Sequence, residues 1–102
     1  MTDPGPVRDN AEKQRYELAV EDGLVFMDYR RQGDRLLITH TETPPALQGR
    51  GLASALTRGM IADVRARGLK IVPLCSFIVD YLARHPEDRD VVAVVTPRSN
   101  GV

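Results

Sequence analysis

The sequence predicts a single α+β domain in which two main helices cover a largely antiparallel mixed sheet, in the order β-β-β-α-β-α with a further strand available at the end. Three observations predict it. Three alternating runs separated by short turns open the ordered part of the chain, an apolar recurrence every fourth residue follows, and a short apolar run then leads into a second amphipathic segment.

Residues 15–20 place Tyr16, Leu18 and Val20 on one face, the signature of a half-buried strand. Glu21, Asp22 and Gly23 form a turn, and residues 24–30 make a second strand. Gln32, Gly33 and Asp34 turn again into residues 35–42, where period two puts Leu36, Ile38, His40 and Glu42 on one face. Such short turns argue for an antiparallel meander. Pro44 and Pro45 stop the third strand, because proline cannot donate to a ladder. Over residues 51–67 Leu52, Leu56, Met60 and Val64 form a helical stripe, with Thr57, Arg58, Asp63 and Arg67 nearer solvent and Gly68 suited to the helix exit. Residues 69–74 read as a short buried strand. Residues 76–84 read as a helix with Phe77, Ile78, Tyr81 and Leu82 inward, closed by His85 and Pro86. Residues 90–95 can add a final strand.

The chain has 102 residues, enough for one domain. Residues 1–13 have almost no apolar content and are expected to be a mobile tail, as are residues 96–102. The domain is then residues 14–95, a size at which one core is marginally stable. Lys and Arg number 14, and Asp and Glu also 14, so no net field favours nucleic acid or an acidic membrane. One cysteine cannot form an internal disulfide, and no apolar run is long enough to span a bilayer. Both point to the cytoplasm, and neither histidine has metal-ligand spacing with Cys75. The final apolar run could pair with a second copy, so a monomer or a weak homodimer is expected.

The segment Gln48, Gly49, Arg50, Gly51, Leu52, Ala53 and Ser54 joins a strand to a helix. Glycines let the backbone turn tightly and approach a ligand. The first helical amides lack intrahelical partners, and the helix dipole adds positive potential, so the segment suits a pyrophosphate. Arg50 could add a charge-assisted contact. On two glycines alone, a bare helix-initiating turn remains open.

Gln48, Gly51 and Ala53 fill the pattern Gln/Arg-x-x-Gly-x-Gly/Ala, and with it the chain resembles the GNAT superfamily of N-acetyltransferases. Residues 41–56, 68–77 and 81–87 look like its small YjdJ-type subgroup, and the resemblance spans about residues 16–92. It implies acetyl-CoA as co-substrate, its pantetheine arm lying as a pseudo-strand between the strand carrying His40 and Glu42 and the strand ending near Cys75. It implies an amine acceptor, small molecule or peptide, that the sequence does not identify. Asp88 stands where the subgroup carries an aromatic residue, and the turns are too short for the two helices that wall the acceptor site in larger relatives.

Acyl transfer needs a neutral amine, a polarised carbonyl and a proton for the departing thiolate. Cys75, just before a helix, suits a nucleophile or a proton donor, and the resemblance singles it out; a lone cysteine is also often a small buried apolar residue. His40 and Glu42 share a strand face and could serve as base and orienting partner, or could be a solvated strand end. Tyr81 occupies the place of a tyrosine general acid in the resemblance, or is an amphipathic core residue on Phe77. His85 is expected to cap the helix end. Beside the acetyltransferase stands a second reading, a coenzyme A-binding or regulatory module with weak catalysis. A third is an interaction domain with no ligand.

Overall fold

A computed structural model describes residues 6–21 and 23–93. Four antiparallel strands form in succession: β1 (Val7–Asn10), β2 (Arg15–Val20), β3 (Gly23–Gln32) and β4 (Arg35–Glu42). A 3-10 turn (Pro45–Leu47) leads to α1 (Leu52–Ala66). The chain returns to add β5 (Lys70–Pro73) parallel to β4, then forms α2 (Ser76–Arg84) and a second 3-10 segment (Pro86–Val91). The sheet order is β1-β2-β3-β4-β5. The α+β architecture and the element order from β2 to α2 are those read from the residues.

Two segments differ from expectation. Val7–Asn10 is an edge strand on β2, not a tail. Its lone apolar residue, Val7, packs on Gly59 of α1, and its polar residues are tied down: Tyr29 Oη donates to Asp9 at 2.6 Å and Arg67 donates to the same carboxylate at 2.9 Å. At the other end residues 86–91 are 3-10 helix. Strand character there is one parallel bridge, Ile71 to Val92, with Ala93 N–H donating to Ile71 O at 2.8 Å. The rest of the expected final strand, residues 94 and 95, and the expected tails at 1–5 and 96–102 lie outside the described residues.

One face of the sheet carries the core. Tyr16, Leu18, Val25, Met27, Leu36, Ile38 and Ile71 meet Leu56, Met60, Ile61 and Val64 of α1 and Ile78, Tyr81 and Leu82 of α2 in a single cluster. Thr57 is fully buried rather than solvent-facing, because its hydroxyl donates to Ala53 O at 2.8 Å. The helix ends where Gly68 adopts φ 68°: Leu69 N–H reaches Val64 O and Gly68 N–H reaches Arg65 O, the paired bonds of a Schellman exit. That turn sends the chain back beside β4.

The opposite sheet face has no helix over it among the described residues. It carries alternate side chains such as Arg15, Glu17, Phe26 and Asp28. Glu17 is nearly enclosed there by donors from Arg8, Asn10 and Arg15 at 2.8–3.0 Å. Arg15 hydrogen-bonding, against the opposing effect of burial, and then Arg8 and Asn10 lower its pKa to about 2.

Candidate functional site

The loop after β4 is braced before it reaches the helix. Leu47 is buried, and the Gln48 side-chain amide donates to Thr43 O at 3.1 Å, closing the turn. Gly49 and Gly51 adopt φ 79° and 72°, the left-handed region that a Cβ disfavours. No side chain caps α1, and its first turn contains no acidic residue. Ala55 N–H makes the bond to Gly51 O, so the amides of Leu52, Ala53 and Ser54 precede the helical ladder and lack acceptors within it. Gly49, Gly51, Leu52, Ala53 and Ser54 line a cleft of about 470 Å³ whose other walls include Thr41, Glu42 and Phe77. Arg50 is exposed between the two glycines and is not among those lining residues. This is a cradle of uncommitted N–H donors at the positive end of a helix, suited to a phosphate or diphosphate.

The same cleft runs into a gap in the sheet. Pairing of β4 with β5 stops at Ile38 opposite Pro73, and Leu74 N–H donates to Ile38 O at 2.9 Å. β4 then continues to Glu42 beside β3, while the segment after β5 turns through Cys75 into α2. Among the described residues the edge of β4 over residues 39–42 is therefore left open, where an extended ligand could pair. Cys75, a free cysteine, sits at the mouth of this gap as the N-cap residue of α2, with Sγ 3.5 Å from Thr41 Oγ1.

His40 and Glu42 are placed differently from the period-two reading. The β3–β4 register slips between Asp28 and Tyr29, so Thr39 is an extra residue in β4. Upstream of the slip Leu36 and Ile38 face the core. Downstream, Thr41 pairs with the buried Met27 and takes the core side, while His40 and Glu42 pair with Asp28 and Phe26 on the opposite face. His40 Nε2 donates to Glu42 Oε1 at 2.7 Å, and its ring tilts against Phe26 at 6.4 Å. The two residues do share a face, but not the face shared by Leu36 and Ile38. Cys75 meets Thr41 instead of His40. Thr41, which lines the cleft and meets Cys75, is a residue that the sequence reading missed; the signal for it is the bulge, which only the pairing partner reveals.

Tyr81 is 3% exposed, one helical turn past the cleft-lining Phe77, and its ring stacks on His85 at 4.1 Å. Burial, and then the charge of Asp88, raise its pKa above the usual tyrosine value. His85 ends α2, with its ring nitrogen 3.2 Å from Glu87. Among the described residues, His85, Glu87 and Asp88 bring three ligand-type atoms within 4.8 Å of one another. Within the trio Glu87 pairs with His85, and Asp88 accepts a hydrogen bond from Arg65 outside it. No helix among the described residues is long and apolar enough to cross a membrane.

Residues 15–91 match the family of GCN5-related N-acetyl-transferases. Over 88 residues the chain is 32% identical to Protein NATD1 of Mus musculus, covering 80% of this chain and 79% of that one. Its fold is similar to the NMR solution structure of a GCN5-like protein from Staphylococcus aureus, with a TM-score of 0.66 at 21% identity, over 94% of this chain and 95% of the other. The glycine loop, the uncapped helix and the split between β4 and β5 thus lie inside a matched region covering most of the molecule, and the chain belongs to the GCN5-related N-acetyltransferase family.

Proposed function

We propose that this acyltransferase-family chain moves an acetyl group from acetyl-CoA to a primary amine. The observation that carries the reading is the continuity of one cleft. Helix-start amides suited to a diphosphate open directly onto the unpaired edge of β4. A pantetheine arm pairing with that edge would bring its thioester to the gap between Ile38 and Leu74, beside Thr41 and Cys75.

In the reaction the amine nitrogen attacks the thioester carbon, the C–S bond breaks, and the coenzyme leaves as a thiolate that needs a proton. In this reading Cys75 S–H, hydrogen-bonded to Thr41, supplies it, and the cysteine thiolate then takes up the proton that the nitrogen sheds after attack. The proton that makes the free amine an ammonium leaves beforehand on the other side of the sheet, where the His40–Glu42 pair is exposed to solvent. The partner of Cys75 is a hydroxyl and not an imidazole, which favours direct attack over an acetyl-cysteine relay. The free thiol also fits a reducing compartment such as the cytoplasm.

Thiol release from acetyl-CoA against an amine panel, with amide shifts of residues 49–54 on adding coenzyme A, tests the proposal. Turnover with no acetyl group on Cys75 by mass spectrometry is the expected result. An acetylated Cys75 that is chemically competent would replace direct attack by the relay, and unmoved amides would remove the cofactor site.

A specific observation favours the second reading, a coenzyme-binding module with weak catalysis. The β1–β2 connection is only the turn at residues 11–14, so it supplies no helical wall to an acceptor. Calorimetric binding of coenzyme A without turnover of any amine would select it. At a hundred times its Kd the coenzyme should add about 2.7 kcal/mol of stability in either case.

A further inference from the structure

We infer that Asp28 holds the ammonium of the acceptor, and that the acceptor is a primary amine carried on an aliphatic or aromatic body; this rests on the amine acetyltransferase reading above. The Asp28 carboxylate is half-buried and makes no hydrogen bond or ion pair among the described residues. A partly covered carboxylate with no partner among the described residues is available to a cation that arrives from solution. Its neighbour in the β2–β3 ladder, Arg15, is directed elsewhere: its Nε donates to Glu17 at 2.8 Å and its guanidinium lies 4.5 Å above the Phe26 ring.

The position of Asp28 gives that partner its identity. Across the ladder it stands opposite His40, at the bulge, where β4 parts from β5. A cation held by Asp28 therefore lies beside the proposed thioester on the face open to solvent, next to the His40–Glu42 pair that can take its proton before the nitrogen attacks. An ammonium satisfies the charge and supplies the nucleophile once deprotonated.

The surroundings are apolar. By strand alternation Phe26, Leu37, Val72 and Leu74 lie on the same outer face, opposite the buried Val25, Leu36 and Ile71. Leu74, directly past the last β4–β5 pair, is 57% exposed, an unusual degree for a large apolar side chain beside a ligand gap. This shelf offers nothing to a small hydrophilic amine and a contact surface to one with a hydrocarbon body.

The full chain saturated with coenzyme A, which cannot react, is titrated with phenethylamine and with methylamine while backbone amides are followed by NMR. Phenethylamine should shift the amides of Asp28, His40 and Leu74 and bind about tenfold more tightly than methylamine. Asp28→Asn should weaken both by about tenfold, and Leu74→Ser should weaken phenethylamine alone. Coenzyme-induced shifts at residues 49–54 report that each variant is folded. Equal affinities, shifts confined to other residues, or an indifferent Asp28→Asn would overturn the inference. Coenzyme binding and amine turnover without a response at Asp28 would overturn it while leaving the transferase reading standing.

Discussion

Gly59→Ala separates a folded N-terminal strand from a loose tail by the sign of its effect. Gly59 lies inside α1, where alanine is intrinsically better than glycine by about 1 kcal/mol. Were residues 7–10 loose, the substitution would stabilise the protein. In the structure, however, the new Cβ would stand 2.3 Å from Val7 Cγ2 and 2.5 Å from Val7 Cβ. Carbon atoms pack best at about 3.5–4.0 Å, and rotating Val7 does not move its Cβ, so β1 must shift or detach. Overpacking of this kind costs about 1–3 kcal/mol, and detachment also gives up the Tyr29 and Arg67 hydrogen bonds to Asp9. After subtracting the propensity gain, a net loss of up to about 2 kcal/mol is expected, with Tm falling by about 4–8 °C per kcal/mol for a domain this small. Urea denaturation and thermal circular dichroism measure it. Val7→Gly in the same chain should relieve the clash, giving a double-mutant coupling of at least about 1 kcal/mol. A Tm that rises on Gly59→Ala alone refutes the docking of β1 on α1.

Four further outcomes follow from the geometry. Gly51→Ala meets no atom within 4 Å, so its penalty is the left-handed backbone itself at φ 72°. A loop that relaxes when empty must be forced back on binding, and calorimetry should find coenzyme A bound about fivefold more weakly; unchanged affinity would mean the phosphates rest elsewhere. Glu17, with a folded pKa of about 2 below its unfolded value, contributes stability that is complete above about pH 4.5 and lost as pH falls toward 2. Denaturation midpoints for the wild type minus those for Glu17→Gln should decline across that window, and a flat difference would show that the Arg8–Arg15 clamp is slack. Cys75→Ala should lower kcat by about tenfold or more, with Cys75→Ser partly restoring it. Tyr81→Phe should leave turnover within about twofold, since its phenol is buried off the cleft. The reverse ranking in steady-state kinetics would transfer the acid role to Tyr81.

The parts of the molecule legible from residues alone are those set by local pattern. Alternation found β2 and β3, the four-residue recurrence found α1, and Gly68 marked its exit. The geometry of the glycine loop ahead of α1 was legible because it lies in consecutive residues, two glycines leading straight into a helix start. What escaped was long-range. β1 has a single apolar residue whose partner, Gly59, is far along the chain, so composition read the segment as a tail. The facing of His40 and Glu42 depends on one extra residue in β4, which strict alternation carries straight through. For the same reason Thr41 was not connected with Cys75, nor Asp28 with the gap. Residues 90–95 read as a strand by β-branched content, yet Pro86 and the Arg65 contacts to Asp88 and Asp90 fix the 3-10 segment ahead of the bridge at Val92.

The single inserted residue at Thr39 divides one ribbon of backbone into two jurisdictions. Up to it the inward places fall to Leu36 and Ile38, and an exchange there is felt as a lower melting point. Past it the inward place falls to Thr41, while His40 and Glu42 face solution, so exchanges of those two should register in turnover while the melting point barely moves. A saturation scan along β4 should therefore change phase at position 39, and shortening the ribbon by that one residue would turn a histidine and a glutamate inward together.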